Sequence, residues 1–128
     1  MRDDGEEEEA MFGFEKLDVW HKAIDFADEV YLATKSFPSD ERFGLTSQLR
    51  RAVVSISSNI AEGSGRNSKP EFSRFVSIAY GSLMESVSQL HIAKRQKFLS
   101  DELFSTLIGK ADQLARMLSG LKASLRTP

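Results

Sequence analysis

At 128 residues, with 41% hydrophobic and 28% charged side chains, the chain has the composition of one globular domain with a core of its own. It contains no cysteine, which excludes a disulfide framework, a thiol nucleophile and every cysteine-ligated metal site. The net charge of −2 conceals an asymmetry: residues 1–15 hold seven acidic side chains against Arg2, so the rest of the chain is net basic.

The opening MRDDGEEEEAMFGF is the charge opposite of a signal peptide, and no apolar run reaches the length of a membrane span. A cytoplasmic protein that does not enter a membrane is therefore expected. Residues 1–14 read as an acidic, disordered leader and residues 15–126 as a four-helix domain. Such a leader is ordinarily a solvated tail; its other use is to compete with nucleic acid for a basic surface.

The first helix is expected over Leu17 to Lys35, where Leu17, Trp20, Ile24, Ala27 and Tyr31 recur at helical spacing. Phe37-Pro38 ends it, because proline disfavours helical geometry in the residue before it. A short turn at Ser39-Asp40-Glu41 and a break at Gly44 precede the second helix, with Thr46 or Ser47 as its N-cap. Leu45, Leu49, Val53, Ile56 and Ile60 form its apolar face, and Gly63-Ser64-Gly65 is expected to stop it.

Ser68-Lys69-Pro70-Glu71 has the spacing of a capping box with proline in the first turn, which starts a third helix running to about Lys97. Phe72, Phe75, Val76, Ala79, Leu83, Val87, Leu90 and Ala93 supply its buried stripe. Ser100-Asp101-Glu102 starts the fourth helix, whose Leu103, Leu107, Ala111, Leu114, Leu118, Leu121 and Leu125 repeat with a period near 3.5. No segment alternates with period two. Four helices joined by short connections predict an all-α, antiparallel, up-down-up-down four-helix bundle.

Chemistry is poorly served. His21 and His91 are the only histidines, neither sits in a motif, and no glutamate stands three residues before either, so the di-iron bundle pattern is absent. No metal or cofactor is expected. The glycines at 63 and 65 follow a helix rather than a strand and lack the spacing of a phosphate loop. A hydrolase using Glu62 or Glu85 is the enzymatic alternative, and no cleft is implied around either.

Two features ask for more than a core. Gln48, Arg51, Ser55, Asn59 and Glu62 form a polar row along the second helix, and Ser77, Gly81, Glu85, Ser88 and Gln89 form a small, polar strip on the third. Arg51 and Glu85 are complementary, and Gly81 permits close approach of another backbone. These rows predict an interface between copies of the chain. The second feature is cationic: Arg50, Arg51, Arg66, Lys69 and Arg74 lie on or near the second connection and suit phosphate contact, with a further cluster at Lys94, Arg95 and Lys97.

The runs LDVW-x-x-A at 17–23, E-x-x-GL-x-x-QLRRA at 41–52, SI-x-SNIAEG at 55–63 and F-x-x-F-x-x-x-A-x-GS-x-x-E at 72–85 resemble the four-helix-bundle family also called 23S rRNA intervening-sequence, or S23-like, proteins. The resemblance implies a bacterial protein that assembles as a ring-like homopentamer. It extends to the accessory subunit of diversity-generating retroelements, a pentameric barrel with a basic surface. That likeness implies RNA or DNA, and a nucleic-acid enzyme such as a reverse transcriptase, as partners. The expectation is thus a non-enzymatic, homo-oligomeric scaffold that binds nucleic acid, with a protein-interaction adaptor as the rival reading.

Overall fold

The computed structural model describes residues 11–126. They form four long helices, α1 (Asp18–Thr34), α2 (Leu45–Ser64), α3 (Lys69–Arg95) and α4 (Asp101–Ser124), with 3-10 turns at Gly13–Lys16 and Ser39–Glu41. No strand occurs among the described residues. Of the expected leader, residues 1–10 lie outside the described residues. The expected boundary after residue 14 falls inside the first 3-10 turn, where Phe14 meets Trp20 edge-on at 4.9 Å.

The helices form a closed ring of neighbours. α2 packs on α1 and α3, and α4 packs on α3 and α1. Side-chain pairs fix the directions: Ser55 with Ser82 and Gln48 with Gln89 join α2 and α3 in one antiparallel register. Arg50 reaches Thr34 and Tyr31 on α1, and Lys110 of α4 pairs with Glu29 of α1 at 3.2 Å. The α1–α2 and α3–α4 connections share one end of the bundle, where the Phe37 and Phe98 rings lie 5.5 Å apart. The α2–α3 connection is at the other end. This is the up-down-up-down arrangement that short loops impose.

The core follows the apolar periodicity. Val53, Ile56 and Ile60 of α2, Leu83 and Leu90 of α3, and Leu107, Leu114 and Leu118 of α4 are almost wholly excluded from solvent. On α1 the buried face is turned from the expected stripe. Val19, Ala23, Phe26, Val30 and Ala33 point inward, whereas Tyr31 is 39% exposed and Trp20 packs on the rim. Trp20 and Tyr31 flank this face, while Phe26, 1% exposed, lies within it among small residues.

Two local expectations give way to tertiary contacts. α2 begins at Leu45 behind Gly44 with no Ser or Thr cap; the Glu41 carboxylate instead accepts the Leu45 backbone N–H at 2.9 Å. Gly63 does not end α2 but lies buried inside it, and the helix closes at Gly65. The other starts are as expected: Ser68 accepts the Glu71 N–H at 3.2 Å and Ser100 accepts the Leu103 N–H at 3.0 Å. α3 ends at Arg95 and is closed by Lys97, which adopts a left-handed φ of 65°.

Candidate assembly and nucleic-acid interfaces

The polar row of α2 meets the polar strip of α3 along the seam between the two helices. Ser55 Oγ and Ser82 Oγ are 2.8 Å apart, and Asn59 Nδ2 donates to Ser55 Oγ at 3.0 Å and to the Ser55 carbonyl at 2.8 Å. Further along, Gln89 Nε2 donates to Gln48 Oε1 and to Glu85 Oε2, both at a long 3.4 Å. Gln89 is 6% exposed, and its Oε1 has no hydrogen-bond partner. A buried amide oxygen without a donor costs on the order of 1–3 kcal/mol.

This seam therefore contributes less to the outer surface than the sequence suggests, because Ser55, Ser82 and Asn59 satisfy one another inside the chain. Sequence periodicity groups Ser82 with neither row, and its part in the seam became visible only when α2 and α3 came together. What remains outward is Gln48, Arg51 and Glu62 on α2 and Gly81, Glu85 and Ser88 on α3. Arg51 and Glu85 form no ion pair with each other; Glu85 receives Gln89 instead. Gly81 faces open space, with nothing within 4 Å of where a Cβ would stand. Ile78, Gly81, Glu85, Ser88 and Ile92 follow one another at steps of three and four on exposed α3, with Ile78 40% and Ile92 48% accessible.

The five cations proposed for phosphate contact do not converge. Arg51 and Arg66 are fifteen residues apart on or just beyond one helix, about 22 Å at the rise of an α-helix. That is well past a Debye length of about 8 Å at physiological salt, so they cannot act as one patch. Arg50 is held inward: its Nε donates to Thr34 Oγ1 at 2.8 Å, its terminal nitrogen donates to the Tyr31 carbonyl at 3.2 Å, and its guanidinium lies 4.6 Å from the Tyr31 ring. It is a staple between α1 and α2.

At the opposite end, Arg66 pairs with Glu62 at 2.8 Å and Arg74 approaches Glu71 at 3.8 Å. Both guanidiniums lie over the Phe75 ring, at 4.8 and 4.7 Å from its centroid. Lys69 is exposed beside them at the start of α3. These arginines have acids beside them, which weakens the local field available to an incoming phosphate. Glu62 and Glu85 are equally ill-suited to hydrolysis. The α2–α3 register sets them about ten residues, or roughly 15 Å, apart along the seam, and each is engaged by a neighbour.

Among the described residues no group of three or more His, Asp or Glu side chains is arranged to hold a metal ion. Among the described residues no helix is long and apolar enough to cross a membrane. Two of the open concavities lie near these cations. One, of about 920 Å³, lies against the α3–α4 connection and is lined by His91, Lys94, Arg95, Lys97, Phe98 and Asp101 among others. The other, of about 620 Å³, lies between α1, α2 and their connection, beside Tyr31, Phe43, Arg51 and Val54.

The family described as 23S rRNA-intervening sequence protein matches residues 15–120. The chain belongs to that family. Among solved structures it is similar to a protein of unknown function from the S23 ribosomal protein family of Bacteroides thetaiotaomicron, solved at 1.70 Å. The two are 21% identical with a TM-score of 0.70, over 78% of this chain and 94% of that one. That likeness shows a shared fold. No curated protein matches the chain.

Proposed function

We propose that this 23S rRNA-intervening sequence protein is a non-enzymatic, homo-oligomeric scaffold that binds nucleic acid. Copies meet along the outer face of α3 and the adjoining polar edge of α2. The observation that carries the assembly is the exposed α3 row in which Gly81 stands between two accessible isoleucines, Ile78 and Ile92. Glycine in the middle of a helix costs about 1 kcal/mol relative to alanine, and in that apolar setting a backbone approaching from another copy uses the space it leaves. Ile78 and Ile92 flank it as apolar contacts, and Arg51 and Glu85, unpaired with each other, are free to pair between copies. The family resemblance supports five copies in a ring.

Nucleic acid is the second half of the reading, supported by the net-basic character of the chain beyond its leader and by the family's tie to rRNA genes. The adaptor reading differs only in this half. A partner enzyme acting on nucleic acid, such as a reverse transcriptase, would dock on the same assembly.

The mass of the full chain in solution, measured by light scattering at micromolar concentration, tests the assembly. The expected result is a multiple of the chain mass, reduced to the monomer by Gly81→Leu while helical circular dichroism is retained. Leucine fits the open space on an isolated chain and also improves helix propensity. A monomeric parent chain, or a Gly81→Leu variant with unchanged mass, would remove this interface.

A further inference from the structure

The bundle end that carries the α1–α2 and α3–α4 connections gathers cations that form no ion pair with a described residue, although Asp101 lines the same concavity as Lys94, Arg95 and Lys97. Arg95 and Lys97 are exposed, Lys94 lies over the Phe104 ring at 4.6 Å, and Arg42 lies over Phe43 at 5.1 Å. None of the four forms an ion pair with a described residue, in contrast to Arg66 and Arg74 at the far end. The register set by Gln48 and Gln89, followed six residues further, brings the α1–α2 connection to the level of Arg95. The Phe37–Phe98 contact holds the two connections together.

The acids at this end form no ion pair with these cations. Glu41 is engaged in capping Leu45, Asp101 and Glu102 occupy the first turn of α4, where the helix dipole offsets them, and Asp40 is exposed on the α1–α2 connection. Phe43 adds a second element: it is 86% exposed, the most accessible of the large apolar side chains among the described residues, and stands next to Arg42. An exposed aromatic ring with a cation beside it is the combination that stacks an unpaired base while its backbone phosphate is neutralised.

We propose that this end of the bundle is a single-strand nucleic-acid surface, with Arg42, Lys94, Arg95 and Lys97 contacting phosphates and Phe43 stacking on a base. The proposal rests on the nucleic-acid half of the function above and places the contact away from Arg66, Lys69 and Arg74. RNA and DNA share the chemistry used here, and separate probes distinguish them.

The test titrates the full chain with fluorescent single-stranded RNA, single-stranded DNA and a DNA duplex, across a range of salt. A single strand binds with affinity that falls steeply as salt rises. The double variant Arg95→Glu/Lys97→Glu loses at least tenfold in affinity and about two units of the log–log salt slope. Phe43→Ala loses about tenfold on single strands and nothing on the duplex. Arg66→Glu/Lys69→Glu binds like the parent. Loss at Arg66 and Lys69 with none at Arg95 and Lys97 would overturn this site and keep the nucleic-acid reading. No binding of any probe at low salt would overturn that reading itself. A Phe43→Ala variant that binds normally but has a lower mass in solution would make Phe43 a contact between copies and refute its role as a stacking platform.

Discussion

Gly63 of α2 lies so close to Phe75 of α3 that a Cβ at position 63 would stand 2.6 Å from the Phe75 Cβ. The Phe72 ring closes the other side at 2.9 Å. Both neighbours belong to the first turns of α3, and the Phe75 Cβ, fixed to the α3 backbone, has little room to move. The glycine is in the helix to admit another helix.

Gly63→Ala is therefore expected to destabilise the fold in spite of alanine's better helix propensity. Overpacking of this kind costs about 1–3 kcal/mol against a propensity gain of up to about 1. The net loss of about 1–2 kcal/mol is read from chemical denaturation. Gly120→Ala is the control: position 120 of α4 faces open space, and the same substitution there gains up to about 1 kcal/mol. Equal effects at the two sites would contradict the close-packing account.

Lys97 closes α3 in a Schellman turn, with the Phe98 N–H donating to the Ala93 carbonyl and the Lys97 N–H to the Lys94 carbonyl, both at 2.9 Å. The residue at this position needs positive φ, and a side chain there costs about 1–2 kcal/mol. Lys97→Gly should raise stability by about 1 kcal/mol and weaken single-strand binding at the same time. A destabilised variant would place another role on the lysine side chain.

Arg50 acts on stability rather than on ligand. Arg50→Ala removes two hydrogen bonds and the contact with the Tyr31 ring, and leaves the 3%-exposed Thr34 without one of its partners. A loss of about 1–2 kcal/mol is expected, after discounting for the part of Arg50 that water reaches. Lysine lacks the planar fork, so Arg50→Lys recovers little of it. Thermal unfolding of the three proteins gives the order.

Gln89→Met removes two long hydrogen bonds together with the partnerless Oε1. Gln48 and Glu85 are exposed and turn to water, so folding stability should be unchanged or rise by up to about 1 kcal/mol. A loss above about 2 kcal/mol would mean that the oxygen has a partner in the assembled protein, and comparison above and below the dissociation concentration separates the cases.

The sequence by itself determined the number of helices, the absence of strands and most of the core. Apolar spacing and capping chemistry are local, and residues such as Ile56, Leu83, Ser68 and Ser100 carry their environment in their neighbours along the chain. The resemblance of the NIAEG and GL-x-x-QLRRA runs to the family was legible for the same reason, because a motif is a local string. What only the tertiary structure decided is what each polar or glycine residue does. Gly63 reads as a helix stop until Phe75 is placed against it, and Ser55 reads as a surface residue until Ser82 is 2.8 Å away. Arg50 and Arg51 are adjacent in the chain, yet successive residues on a helix point about 100° apart. One is turned against Tyr31 and the other outward. The cations at the two ends of the bundle differ not in type but in whether they form ion pairs. Such pairings across helices depend on register and rotation, which a periodic pattern leaves free and packing sets.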